Sequence, residues 1–486
     1  MGNDVYLGHR SITKEGPDMF HRVCKMFFFA PFTLIVSLAF TSAIFAQAAD
    51  SNSPSATDVW LADIDALDQL LRQHHPDAFF RTGEGAWQNG LTKSRKLVSS
   101  GASDATITME LMSAVAHLGD GHTRLEPVEI DAFANWIPLR FYEFDEGNYV
   151  TVAAEPYADL IGKQVIGIAG NSLAEVLAKV ERATAADNAF QLKEGAAALL
   201  SNAGLLAALR VIEDPTEPVT LVFEDSEGNQ VTRSIPTVHS WYSVNYRNWG
   251  ELFGPPFEPF DVYRSPFQGG KTPMAYRDPP NVADAPFYAS RKPFWARLDR
   301  EETVLTFQFN FFADVGDIGW DDFRSQMWEM LDRAQPDRFV IDLRYNFGGD
   351  GSMVRAFINE LLARPEYANN NRLVVLTGRQ TFSAAVMLVA ALKDHTDAIF
   401  VGEPAGAPLN NYGDPISLTL PSGRLELVVS TLYWQLGHPS NRKTTISVSK
   451  CVLTKASDYF AGRDMVWNTA ASIEISEFGS SAHTCD

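Results

Sequence analysis

A serine in one turn of the chain has a setting suited to nucleophilic attack on a carbonyl group. The apolar, strand-like run 373–376 enters a short polar turn that ends at Ser383, and a run of small and apolar residues with helical composition follows. At the N-terminus of a helix, unpaired N–H groups and the helix dipole favour developing negative charge. Serine is also a favoured N-cap, so this stretch alone fits a helix cap as well as a nucleophile.

A glycine-containing loop follows the preceding strand-like run. It spans residues 344–351 (RYNFGGDG), and its glycines allow the backbone to turn sharply and expose N–H groups, as an oxyanion pocket requires. Neither of the common glycine-rich phosphate-binding motifs is present. Loops that follow neighbouring parallel strands meet at one sheet edge, so we expect this loop to lie beside Ser383.

A histidine in a tight turn could supply the base. His122 lies in the turn 119–123 (GDGHT), directly after a predicted helix. Its side chain is a suitable general base for a hydroxyl if the fold brings the two together. Two other interpretations remain open: a turn histidine with local hydrogen bonds, or a zinc site formed by His117, Asp120 and His122. We expect the remaining isolated histidines to be surface residues: His74, His75, His395 and His438.

Strands alternate with helices in the part of the chain that carries the serine. Residues 304–309, 339–343 and 398–401 resemble strands, and an apolar stripe at 353–362 predicts a helix. This alternation predicts an α/β domain with a substantially parallel sheet and its active groups at the carboxyl ends of the strands.

The upstream sequence has a different texture. Helical periodicity begins at residue 58 and stops at Pro76, and a second helix is predicted over 105–118. Residues 136–236 show short strands, and a capping box of Ser172 and Glu175 begins a helix there. The segment 241–295 is rich in Pro, Gly and aromatic residues, so we expect it to pack over the groove between modules.

The N-terminus resembles a secretory signal peptide. A basic flank, the apolar run 26–45 and the Ala-Gln-Ala site that ends at Ala48 predict cleavage after Ala48 and export to the periplasm or outside the cell. An uncleaved membrane anchor is the alternative, because twenty apolar residues also suffice to span a bilayer. Cys451 and Cys485 remain in the mature chain and could pair in an oxidising compartment.

The charge of the chain excludes some partners. The formal net charge is -20, and there is no long basic run. This balance argues against nucleic acid as a partner, and against an anionic membrane surface for the mature chain.

Four motifs together resemble the tail-specific, or C-terminal processing, peptidases of family S41, which also includes the tricorn core proteases. In chain order they are FVIDLRYNFGGDG (339–351), TGRQTFSAAVMLVAALKDH (377–395), VGEPAG (401–406) and SDYFAGRD (457–464), and the resemblance covers roughly residues 295–470. It implies a crotonase/Clp-like α/β catalytic domain. The sequence LIGKQVIGIAGNSLAEVL resembles the PDZ-like module often inserted in this family.

The resemblance also implies roles for individual residues. Ser383 matches the nucleophile, and the N–H groups of Gly348 and Ala384 match the oxyanion hole. Many members use a Ser-Lys dyad, but Pro408 stands 25 positions after the serine where the lysine is expected. A histidine base is therefore implied, and His122 resembles the histidine of the tricorn-like branch.

The acid that orients the histidine is left open. The tricorn-like branch has a serine just before the histidine, but Gly121 stands there, and segment 437–449 contains no acid. Asp120, Glu403 and Asp414 are the candidates.

These observations predict five segments: a signal peptide (1–48), a helical segment with His122 (49–130), a PDZ-like module (131–240), a linker or covering segment (241–295) and the catalytic domain (296–486). The predicted function is an exported serine-type endopeptidase that uses no cofactor or metal and acts on a peptide or polypeptide. A catalytically inactive peptide- or ligand-binding protein and the metallohydrolase are the alternatives.

Overall fold

The computed structural model describes residues 55–128, 130–239, 263–264, 294–299, 303–314, 319–461, 463–473 and 485. The predicted leader (1–48) and most of the predicted covering segment (241–295) lie outside these ranges. Within them, no helix is both long and apolar enough to cross a membrane.

Three helices begin the described chain: α1 (Ala56–His74), α2 (Glu84–Ser99) and α3 (Asp104–Ala116). The periodic apolar residues predicted α1 and α3. The polar, glycine-containing sequence of α2 does not indicate a helix, and its Trp87 and Leu91 are buried only through tertiary packing. Gly90 permits this close packing, because a Cβ there would lie 2.9 Å from the Ala114 Cβ of α3.

A small antiparallel sheet completes the core of these helices. It consists of β1 (Arg124–Pro127), β16 (Asn410–Thr419) and β17 (Leu425–Gln435), with β17 in the middle. Leu125 on β1 and Leu427 on β17 share one hydrophobic core with Trp60 and Leu67 of α1. The N-terminal helices are therefore packed against a hairpin some 300 residues later in the chain.

The segment predicted to contain short strands forms most of a second sheet, to which Tyr263–Arg264 of the predicted covering segment adds one short edge strand. Its strands are β2 (Asn135–Trp136), β3 (Leu139–Phe144), β4 (Gly147–Ala154), β5 (Gln164–Ile168), β6 (Asn171–Ser172), β7 (Val219–Glu224), β8 (Gln230–Ile235), β9 (Val238–His239) and β10 (Tyr263–Arg264). Its helices are α4 (Leu173–Val180), α5 (Ala189–Leu199) and α6 (Ala203–Ala208). The main sheet has the order β10-β4-β5-β7-β8, with β3 paired to β4 and β6 paired to β5, whereas β2 pairs with β9 separately. The predicted capping box of Ser172 and Glu175 begins α4.

The C-terminal part is the predicted α/β layer. Its strands are β11 (Phe294–Leu298), β12 (Val304–Phe309), β13 (Arg338–Asp342), β14 (Leu373–Thr377), β15 (Ile399–Gly402) and β18 (Lys450–Cys451). Its helices are α7 (Trp320–Ala334), α8 (Ser352–Leu362), α9 (Pro365–Ala368), α10 (Ala384–His395), α11 (Ala456–Phe460) and α12 (Met465–Ser472). The sheet order is β11-β12-β13-β14-β15-β18, and all pairings except β11 with β12 are parallel.

The parallel strands are covered on both faces. Along β14, Leu373 and Val375 contribute to one core and Val374 and Leu376 to another, because successive side chains point to opposite faces. This burial explains the continuous apolar run in the sequence. The register of β13 against β14 places their carboxyl ends side by side, so the glycine loop and the serine turn begin at neighbouring points.

Cys451 and Cys485 form a disulfide, the pairing that the sequence left open. The bond attaches the C-terminal end of the chain to the last strand of the parallel sheet, where the Cys485 sulfur lies 3.7 Å from the Gly402 carbonyl oxygen.

Substitutions of two leucines on β17 test the packing between the N-terminal helices and the β16–β17 hairpin. Leu427 is fully buried, so Leu427→Ala leaves a cavity and is expected to lower the free energy of unfolding by about 2–5 kcal/mol. Leu432→Ala, on the same strand but 48% exposed, is the matched control and should cost far less. Urea unfolding measures both, and equal losses would contradict a shared core at Leu427.

Candidate active site

Ser383 occupies a strained turn between β14 and α10. It stands at the N-cap position of α10, but its φ of 55° and ψ of -124° are rare for a residue with a side chain. Its hydroxyl makes no capping hydrogen bond to the helix. The capping interpretation therefore has no support in the geometry, and strain of this kind is concentrated at functional sites.

The end of β13 holds the serine turn in place. Phe382 donates its backbone N–H to the Asn346 carbonyl oxygen at 2.9 Å, and the Thr381 hydroxyl donates to the Leu343 carbonyl oxygen at 2.8 Å. A Cβ on Gly348 would lie only 2.5 Å from the Ser383 Cβ. Glycine at position 348 thus leaves the space that the Ser383 side chain needs.

The two predicted oxyanion donors differ in their availability. Ala384 is the first residue of α10, where a backbone N–H has no partner within the helix, and a Cβ on Gly348 would lie 3.1 Å from this nitrogen. The N–H of Gly348 instead donates to the Asn346 side-chain oxygen at 2.9 Å. In this conformation Gly348 does not offer a free donor, so its predicted role requires Asn346 to release it.

His122 lies against the serine turn although about 260 residues separate the two in sequence. Its imidazole stacks on the ring of Phe382, with 4.1 Å between centroids, and is 5% exposed. Neither ring nitrogen makes a hydrogen bond of good geometry with a described residue, although the Tyr412 carbonyl lies close enough to raise the His122 pKa. The fold therefore brings a buried histidine without a side-chain hydrogen-bond partner next to the residue that precedes Ser383.

The histidine turn needs glycine at position 121. A Cβ there would lie 2.2 Å from the Gln191 side-chain oxygen. The departure from the serine of the tricorn-like branch thus has a packing reason, because α5 occupies the space of a side chain at this position.

Asp120 anchors the histidine turn. One carboxylate oxygen accepts the His122 backbone N–H at 3.0 Å. The other accepts hydrogen bonds from the Thr123 and Ser430 hydroxyls, at 2.5 and 2.6 Å, and lies 3.1 Å from His75 Nε2. Burial opposes the charge, but these hydrogen bonds and the nearby His122 lower the Asp120 pKa from 3.8 to about 2.

The expectation that His75 is a surface residue is wrong. It is 5% exposed, and its Nδ1 accepts the Asp77 backbone N–H at 3.1 Å while Nε2 faces Asp120. No local pattern could indicate this role, because the partner carboxylate lies 45 residues away on another turn.

A carboxylate that the sequence did not indicate completes the cluster. One ligand atom each from Asp120, His122 and Asp187 lies within 4.8 Å of the others, and all three residues are buried. His117, predicted as a metal ligand, is exposed at the end of α3 and does not belong to this group, so the predicted ligand set does not assemble. The group of three could hold a metal ion, but the Asp120 oxygens already accept four hydrogen bonds from the protein, which argues against metal binding and for a structural role of this carboxylate.

The other two candidate acids have partners of their own. Glu403 forms a buried bidentate pair with Arg379, at 2.5 and 3.0 Å. Asp414 is exposed and accepts the Trp434 indole N–H at 2.7 Å. Of the three predicted acids, Asp120 is the one that contacts the histidine turn through a hydrogen bond.

The electrostatics keep His122 neutral. Burial lowers its pKa from 6.5 to about 4, outweighing the opposite effect of Asp120 and of the Tyr412 carbonyl, while Arg124 lowers it further. A neutral imidazole can accept a proton, which is the state that a general base requires at neutral pH.

Gly348→Ala tests the clearance at the serine. The added Cβ must displace Ser383 or the glycine loop, and misplacement by about 1 Å can cost 10²-fold in rate, so we expect activity to fall by at least about 100-fold. Gly228→Ala is the control, because its φ of 84° is also positive but nothing lies within 4 Å. The rate of peptide hydrolysis, corrected for the rate of Ser383→Ala, measures the effect. Wild-type activity in Gly348→Ala would contradict the steric clash with Ser383.

The lowered His122 pKa predicts a pH-dependent stability. Between pH 6.5 and about 4 the unfolded chain binds a proton at this residue and the folded protein does not. Stability from this group is thus fully present above pH 6.5 and falls by roughly 3 kcal/mol as the pH drops to about 4. Urea unfolding at pH 7 and 4.5 should show a larger loss for the wild type than for His122→Gln, and equal losses would refute the shift.

Comparisons with solved structures place this fold. No protein-family model and no curated protein sequence matches the chain. The S499A mutant of CPAF is 12% identical over 86% of this chain and 98% of its own, with a TM-score of 0.60, and mature CPAF complexed with lactacystin is 12% identical over 86% and 99%, with a TM-score of 0.57.

The photosystem II D1 C-terminal processing protease is 13% identical over 82% of this chain and 94% of its own, but its TM-score of 0.36 is too low to support an argument. CPAF and this protease are S41 family members. The likeness to CPAF thus confirms the resemblance seen in the sequence motifs at the level of the fold: the chain has the mixed α/β fold of an S41 peptidase.

Proposed function

We propose that the chain is an exported serine-type endopeptidase of the S41 family that hydrolyses peptide bonds through an acyl-enzyme. One observation carries the proposal: the strained, non-capping Ser383, for which Gly348 leaves space, lies in the turn on which the buried His122 ring stacks, and this ring has no side-chain hydrogen-bond partner among the described residues. The fold shared with CPAF supports it.

The steps follow from these groups. Ser383 attacks the scissile carbonyl carbon, and His122 takes the hydroxyl proton and returns it to the leaving amine. The Ala384 N–H stabilises the oxyanion at the N-terminus of α10, and the Gly348 N–H joins it once Asn346 releases that donor. Water then attacks the carbonyl carbon of the acyl-enzyme while His122 takes one of its protons. His122 returns this proton to the Ser383 oxygen as the acid product leaves.

The modules take the roles that the resemblance implies. The parallel sheet from β11 to β18 corresponds to the crotonase/Clp-like catalytic domain, and the sheet of residues 131–240 to the PDZ-like module. The predicted leader directs export to the periplasm or the outside, and cleavage after Ala48 releases the mature chain from the membrane. Sequencing the N-terminus of the exported protein tests this, and a retained leader would favour the membrane-anchored alternative.

Two substitutions test the chemistry directly. Ser383→Ala and His122→Ala are each expected to lower the hydrolysis of a fluorogenic peptide library by about 10³-fold or more, because each removes an atom of the reacting pair. His438→Ala is the control, since the imidazole of this exposed histidine is hydrogen-bonded to Ser440 in its own loop and the substitution keeps its backbone carbonyl. A serine-reactive phosphonate should label the wild type at Ser383, and a chelator should leave activity unchanged.

Other outcomes would identify the alternatives. Full activity in Ser383→Ala would sink the serine mechanism, and loss of activity on chelation would favour a metallohydrolase using Asp120, His122 and Asp187 instead of the predicted His117 set. Peptide binding without turnover or phosphonate labelling would favour the binding-only protein.

A further inference from the structure

The acid that orients His122 is missing from the sequence motifs, and the fold offers an unpredicted one. We propose that Asp187, in the segment between α4 and α5 of the 131–240 module, is the residue that accepts the His122 ring N–H and positions the imidazole during catalysis. This inference rests on the proposed serine peptidase function. It assigns to the inserted module a direct share in the catalytic site.

Two buried groups that could share a hydrogen bond lie close together at this point. One carboxylate oxygen of Asp187 and one ring nitrogen of His122 lie within 4.8 Å. Asp187 is 1% exposed, and its Oδ1 lies 4.0 Å from the Arg81 guanidinium while the Gly121 N–H also stabilises the carboxylate. Its Oδ2 has no hydrogen-bond partner among the described residues, and neither His122 ring nitrogen has a side-chain partner there. Catalytic hydrogen bonds are often long in a free enzyme and shorten when substrate binds, so a modest rotation of the imidazole completes this one.

Asp120 is less suited to the same task. Its Oδ2 already receives the Thr123 and Ser430 hydroxyls and faces His75, and its Oδ1 receives the His122 backbone N–H. These bonds fix the backbone of the histidine turn rather than its ring. The two carboxylates thus divide the work: Asp120 holds the turn, and Asp187 holds the imidazole.

The segment that carries Asp187 is firmly attached around the site. The Arg81 guanidinium donates to the Asp187 carbonyl oxygen at 2.7 Å, and the Asp187 backbone N–H donates to the Gln191 side chain at 2.7 Å. The Asn188 side chain donates to the carbonyl oxygens of Ala405 and Thr444, at 2.9 and 3.0 Å. Asp187 is therefore tied to the N-terminal helices and to the catalytic layer at once.

The proton balance is simple. The Ser383 proton passes to one ring nitrogen of His122, and the N–H on the other ring nitrogen is donated to Asp187, which keeps its charge. The charged groups around the pair are Asp120, Arg81 and Arg124, and burial with the Asp120 charge raises the Asp187 pKa well above its ordinary value. Asp187 accepts best when ionised, so activity should rise as the pH rises through its pKa.

Asp187→Asn tests the assignment in the full chain. The amide has the same shape and no charge, so the fold should be retained, as a thermal melt will verify. We expect kcat to fall by roughly 10²- to 10⁴-fold with little change in KM, and the acidic limb of the pH profile to move toward lower pH. Asp159→Asn, an exposed carboxylate of the same module paired with Arg233, should match the wild type.

Asn188→Ala distinguishes an effect of the Asp187 carboxylate on the His122 ring from an effect of loosening the segment between α4 and α5. It removes the hydrogen bonds to the Ala405 and Thr444 carbonyl oxygens and the side-chain cap of α5, but it leaves the Asp187 carboxylate, so a lower rate with an unchanged pH profile is expected. If Asp187→Asn shows the same profile as the wild type, or behaves like Asn188→Ala, the proposal is overturned.

A spectroscopic measurement works even if the chain is not a serine peptidase. In Ser383→Ala protein, the NMR shifts of the His122 ring should show a second inflection from the ionisation of Asp187, and Asp187→Asn should abolish it. Absence of this inflection overturns the contact. Its presence, combined with hydrolysis that does not depend on Ser383, would reject the proposed function while leaving the His122–Asp187 pairing in place.

Discussion

The rest of the site depends on the hydrogen bonds that the buried carboxylate of Asp120 accepts. It accepts hydrogen bonds from the histidine turn that follows α3 and from Ser430 on β17, and it lies beside His75 at the end of α1. A buried charge raises the free energy of the folded state unless it is fully hydrogen-bonded. Separating Asp120 from these partners would therefore destabilise the fold. The turn that carries His122 is therefore fixed to the β16–β17 hairpin and is not a surface loop.

The serine turn shows a second constraint, in which local strain is opposed by tertiary contacts. A positive φ at Ser383 is unfavourable by itself, yet Phe382 and Thr381 are bonded to the end of β13 and α10 is packed in the core. Gly348 leaves the space that the strained residue requires. Ser383 is thus held in a strained conformation by contacts with the neighbouring strand end and the glycine loop.

Buried ion pairs connect the loops around this turn. Arg379 pairs with Glu403 and also donates to the carbonyl oxygen of Glu143 on β3. Arg344 pairs with Asp342 and with Asp464 before α12. Removing one partner of such a pair strands a buried charge, so the loops are held by electrostatics as well as by packing. The part of the chain that forms β3 to β8 is therefore hydrogen-bonded to the α/β layer through Arg379 and Asn188.

Local pattern was enough to predict much of the fold. The apolar run of β14, the stripe of α8 and the capping box of α4 follow periodicities that depend only on neighbouring residues, and the structure confirms them. The motifs that resemble S41 peptidases singled out Ser383 and His122, which the fold then brings to adjacent turns. Helix α2 escaped prediction, because its polar sequence becomes helical only by packing against α3.

The sequence by itself determined the strongly periodic elements, the serine turn and the presence of proline instead of lysine at position 408. Only the tertiary structure decided which charged groups surround His122. His75 and Asp187 lie 47 and 65 residues from it in the chain, at distances over which no periodicity operates, and their burial follows from three segments converging. A pattern reports which face of an element is apolar, whereas the partners of a buried charge are set by packing between elements.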